Sequence, residues 1–81
     1  MTPDETTETI RALVARIANI PAPDGNADMY LAGFASTAAL ELLVELEDAF
    51  GVAIPDDQFI AARTPSALAQ VVCSLAAPGS P

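Results

Sequence analysis

The sequence predicts an all-α domain: a four-helix bundle with a long loop between helices one and two and a short third helix. Three observations predict it. Apolar residues recur at the helical period in three separate segments. Proline stands just inside two helix starts, and glycine just past one helix end. No segment shows the alternation of a half-buried strand. The 81 residues suffice for one domain, 1–81, with a folded core over 3–76 and a flexible tail over 77–81.

Helix one begins at Thr2-Pro3-Asp4-Glu5. Thr2 suits the N-cap, Pro3 the first helical position, and Glu5 closes a capping box. Ile10, Leu13, Val14 and Ile17 then make one apolar stripe, and Pro21 and Pro23 end the helix. The loop from there to about Gly33 is long for so small a chain, a feature often tied to function. Met29, Tyr30, Leu31 and Phe34 are its expected apolar anchors. Helix two is expected from about Ser36 to Phe50, closed by Gly51, with Ala39, Leu42, Leu43, Leu46, Ala49 and Phe50 on its core face. After the connector Val52-Ala53-Ile54-Pro55, Asp56 and Asp57 suit the first turn of a brief third helix through about Ala62. Thr64 and Pro65 open the last helix, whose stripe is Leu68, Val71, Val72 and Leu75. Cys73 lies beside that stripe and reads as a small core hydrophobe.

Eleven acidic residues face three arginines (Arg11, Arg16 and Arg63), with no lysine, for a net charge of −8. Such a body repels nucleic acid and anionic lipid, and it favours partners with basic patches. The opening Met1-Thr2-Pro3-Asp4-Glu5 is polar and acidic, unlike a signal peptide, and no apolar run approaches a membrane span. A cytoplasmic monomer is the expectation. With one cysteine and no histidine, the chain alone builds neither a His/Cys metal site nor a Ser-His-Asp triad. No catalytic or metal-ligating residue is assigned, and the chain is not read as an enzyme.

Helical steps of 100° place Thr37, Leu40, Glu41, Val44 and Asp48 on the outward side of helix two, flanked by Glu45 and Glu47. A helix tuned only for stability would mix charges there. This face is acidic with an apolar strip through it, so Thr37, Leu40, Glu41, Val44, Glu47 and Asp48 are the candidate partner-binding residues. Ser36 opens the same helix. It could serve as an N-cap only. Equally, a phosphodiester on its hydroxyl would lie where free N–H groups and the helix dipole favour negative charge.

The run Asp28-Met29-Tyr30-Leu31-Ala32-Gly33-Phe34-Ala35-Ser36-Thr37 leads into Leu40-Glu41-Leu42-Leu43-Val44-Glu45-Leu46-Glu47-Asp48-Ala49-Phe50-Gly51 and then Val52-Ala53-Ile54-Pro55-Asp56. Together these segments resemble the central part of acyl carrier proteins, and a looser match extends it over about residues 8–75. The resemblance implies that Ser36 bears a 4′-phosphopantetheine arm, attached from coenzyme A by a phosphopantetheinyl transferase. It implies that the arm carries acyl intermediates as thioesters in fatty-acid, polyketide or related biosynthesis. Acyl-loading, condensing and releasing enzymes with basic docking patches would then be partners. Two alternatives stand beside this reading: a peptidyl or aminoacyl carrier, and an unmodified helical adaptor in which Ser36 only caps. The family's usual Asp before the serine is Ala35 here and its usual Leu after it is Thr37, which leaves open the transferase that accepts this chain.

Overall fold

The computed structural model describes residues 2–76; the tail expected over 77–81 lies outside the described residues. Four helices run in the order α1 (Pro3–Ala18), α2 (Ala39–Phe50), α3 (Asp56–Ala61) and α4 (Pro65–Ala76), with a single 3-10 turn, Ser36–Ala38, leading into α2.

The capping box at α1 forms as expected. The Glu5 N–H donates to Thr2 Oγ1 at 3.2 Å, and the Thr2 N–H donates to Glu5 Oε1 at 3.2 Å. The helix stops earlier than Pro21 requires. Asn19 takes the left-handed conformation at φ 55° and its N–H returns to the Ala15 carbonyl, so a residue tolerant of that region ends α1 before either proline acts. At the far end of α2, Gly51 closes the helix at φ 65° with its N–H on the Glu47 carbonyl. The Thr64 hydroxyl accepts the Ala67 N–H at 3.0 Å, capping α4.

The core gathers Ile10 and Val14 from α1, Leu42 and Leu46 from α2, Phe59 from α3, and Leu68, Ala69 and Val72 from α4. Met29, Phe34 and Ile54 join it from the connections. Three placements differ from the periodic reading. Ala49 is exposed on the last turn of α2, where Phe50 is only partly buried. Leu75 is also exposed, on the final turn of α4. Leu31 is 85% exposed: the segment 28–33 winds as a single turn, which sends Met29 inward and carries Leu31 to the opposite side.

The long loop is fastened at several points, which fixes where the chain emerges at Ser36. Arg11 Nε donates to the Pro23 carbonyl at 2.6 Å, tying it to α1. The Ser66 N–H donates to the Gly25 carbonyl at 2.9 Å, and the Met29 N–H donates to the Arg63 carbonyl at 2.9 Å. Loops satisfied in this way lose little by being long.

Candidate functional site

Gly33 adopts φ 111°, a conformation that side-chain-bearing residues rarely accept. The bend lets Phe34 enter the core at 2% exposure while its N–H donates to the Met29 carbonyl at 3.0 Å. Ala35 follows in extended geometry and Ser36 opens the 3-10 turn, exposed. The glycine and the buried phenylalanine thus set Ser36 at the surface.

The Ser36 side chain caps nothing. Ala35 is the N-cap of the 3-10 turn and Ala38 that of α2, and neither position has a side-chain capping bond. The expected α2 start at Ser36 resolves into one 3-10 turn and then α2 proper, so the hydroxyl stands one position inside the cap. It is an exposed hydroxyl with no hydrogen bond among the described residues.

Two open depressions meet at Ser36. One, of about 240 Å³, is floored by Leu40, Leu43, Phe59 and Ile60 with Asp56 at its margin. The other, of about 420 Å³, is bounded by Tyr30, Phe59, Ile60 and Arg63. Ala39 lies in the wall common to both. Leu40 and Ile60 are 71% and 68% exposed, so the margins are apolar as well.

Beside the second depression sits a cluster that sequence spacing did not disclose, because its members are 35 residues apart. Arg63 Nε donates to Asp28 Oδ2 at 2.6 Å and Nη2 to Oδ1 at 3.3 Å. The Arg63 guanidinium lies 4.8 Å from the Tyr30 ring centre, and that ring meets Phe34 edge-on at 5.7 Å. Asp28 Oδ1 also accepts the N–H groups of Tyr30 and Leu31. The Arg63 hydrogen bond, followed by those backbone donors, holds the Asp28 carboxyl below the usual carboxylate range. The same pairing raises Arg63. Burial is the first cause lifting the Tyr30 hydroxyl above its ordinary value.

On the outer side of α2, Thr37, Leu40, Glu41, Val44 and Asp48 are all exposed. Glu47 is placed differently. Its Oε2 accepts the Ile54 N–H at 2.9 Å, so this carboxylate braces the connector to α3. Glu45 is bridged by Arg16 of α1 at 3.3 Å, which brings a cation to the edge of a face whose own helix has none. Cys73 is half-buried with its sulfur 3.4 Å from Thr6 Oγ1. No group of three His, Cys, Asp or Glu among the described residues is placed to hold a metal ion. None of the described helices is long and apolar enough to cross a membrane.

Comparison with known proteins bears on this arrangement directly. Residues 8–72 match the family described as "Phosphopantetheine attachment site". The chain is also 36% identical over 53 residues to an aminoacyl carrier protein of Agrobacterium fabrum (strain C58 / ATCC 33970). That alignment takes in 60% of this chain and 64% of the relative's length. No solved structure gives a significant match. Proteins of the family hold a covalently attached 4′-phosphopantetheine, interact with the transferase and with biosynthetic enzymes, and are not themselves catalysts. The all-α fold with four helices agrees with that membership, and the match spans far more than half of the sequence. The chain belongs to the phosphopantetheine attachment-site family.

Proposed function

We propose that Ser36 bears the arm and that the chain delivers acyl groups, held as thioesters at its end, to enzymes that dock on the outer face of α2. The observation that supports this most is the exposed Ser36 hydroxyl, unbonded and displayed by the Gly33 bend beside two apolar depressions. These features fit the group. Among the described residues nothing competes for the Oγ atom, and Ser36 holds the first position of its turn, where free N–H groups favour an attached phosphate. Attachment joins Oγ to the pantetheine phosphorus and releases the adenosine bisphosphate half of coenzyme A, the hydroxyl proton passing to a base of the transferase. When bound, the group supplies a terminal thiol for thioester formation. The chain's own residues position it: Phe34 anchors the approach, and the Met29 and Arg63 backbone bond fixes the loop.

Thr37, Leu40, Glu41, Val44 and Asp48 form the proposed docking face, with Leu40 and Val44 as the apolar strip between the acids. Glu47 contributes charge from its edge, having its carboxylate engaged on Ile54. A single domain over 1–81, monomeric in the cytoplasm, remains the proposed context.

The cargo has two readings. The acidic face favours the acyl type serving fatty-acid or polyketide enzymes. The likeness to an aminoacyl carrier favours an amino acid, and the surrounding negative charge suits its ammonium group. Incubation with coenzyme A and a broad-specificity transferase should add the mass of the arm. Fragmentation of protein isolated in its loaded form should then eject the arm with its cargo, and that mass tells the readings apart. An unchanged mass with several transferases would contradict the carrier role of Ser36.

A further inference from the structure

The second depression opens beside the Ser36 hydroxyl. Ser36 and Arg63 line the same depression, together with Tyr30. Arg11 is engaged by Glu8 and the Pro23 carbonyl, and Arg16 by Glu45. Arg63 is the arginine that lines this hollow, and its own partner is Asp28. Asp28 occupies its Nε and Nη2 groups, so Nη1 carries no hydrogen bond among the described residues. The guanidinium plane is already fixed from two sides, by the Asp28 carboxylate and the Tyr30 ring. Fixing it beforehand lowers the entropy lost when one more acceptor is bound. Phe59 and Ile60 supply the apolar wall opposite.

We propose that Arg63 and Tyr30 form a cradle for the proximal part of the arm. Arg63 Nη1 donates to a non-bridging oxygen of the phosphodiester on Ser36. The branched, methyl-bearing carbons that follow the phosphate rest on the Tyr30 ring and Ile60. Charge supports this occupant: a phosphodiester adds an anion to a body already at −8, and Arg63 is the group placed to receive it. Because Asp28 neutralises much of the guanidinium charge, the contact is a directed hydrogen bond that restrains the arm while leaving its distal thiol free to move. Arg63 is therefore a positioning residue. The inference rests on the attachment at Ser36.

The test compares apo and transferase-primed protein by NMR, with mass spectrometry confirming priming. In the wild type, the Arg63 guanidinium and Tyr30 ring resonances should shift on priming, and the arm's methyl protons should show through-space contacts to the Tyr30 ring. The phosphorus resonance of primed Arg63→Gln should move toward that of a free phosphodiester, and the arm's methyl groups should become more mobile. Asp28→Asn frees more of the guanidinium charge and should move the phosphorus resonance the opposite way. Arg63 and Tyr30 resonances unmoved in primed wild-type protein would overturn the cradle and leave the carrier reading intact, a result that needs no variant to fold. Absence of the added mass would remove both together.

Discussion

Burial divides two leucines that helical spacing sets on opposite faces of α2. Leu46 is fully buried and Leu40 is 71% exposed. Leu46→Ala should cost about 2–5 kcal/mol through lost transfer energy and the cavity left behind. Leu40→Ala should stay within about 0.5 kcal/mol and weaken partner binding instead. Paired urea melts and binding titrations check both. Asp28 gives a second expectation with a definite sign. Its carboxyl lies lower in the folded protein than unfolded, so its contribution is present above the unfolded value near 3.9 and is lost as pH falls through the folded one. Asp28→Asn should therefore flatten the acid limb of the stability profile below about pH 4. Glu5 is lowered by its Thr2 hydrogen bonds and adds to the same limb, so Thr2→Ala is the control that separates the two.

At the scale of elements, the stripes of α1, α2 and α4 and the caps at Thr2, Gly51 and Thr64 were legible in the sequence. Period and capping are local properties, written in residues three or four apart. What escaped was settled by contacts across the chain. The Arg63–Asp28 pair joins segments 35 residues apart, and the Glu47 carboxylate accepts the Ile54 N–H from beyond the end of its helix. Asn19 ends α1 ahead of the prolines, and a left-handed asparagine leaves no periodic trace in the sequence. The capping role open to Ser36 in the sequence falls away because the 3-10 turn shifts the α2 cap to Ala38. An element-scale prediction follows from Gly51. A Cβ there would meet nothing within 4 Å, so Gly51→Ala isolates the backbone cost of φ 65°. Thermal melts should register a loss of about 1–2 kcal/mol. Asn19→Gly should change stability far less, since its conformation is one that glycine takes readily.

Across the whole molecule, a chain at −8 with Glu41 and Asp48 exposed beside Leu40 and Val44 should be drawn to basic surfaces over a distance of about 8 Å at physiological salt. Association with a priming or loading enzyme should slow as salt rises, mainly in the on-rate. Glu41→Lys with Asp48→Lys should slow it further while leaving the helical spectrum unchanged, as stopped-flow and circular dichroism would register. Equal rates would shift docking onto the apolar strip. Beneath the functional expectations lies the attachment at Ser36, and the most direct measurement of it is intact mass. Wild-type protein and Ser36→Ala are incubated side by side with coenzyme A and a broad-specificity transferase. Because the Ser36 hydroxyl caps nothing, the variant should melt within about 0.5 kcal/mol of the wild type, so a fold defect will not cloud the comparison. The wild type should gain one phosphopantetheine and Ser36→Ala none; the same gain in both proteins would place the arm on another residue and contradict the account.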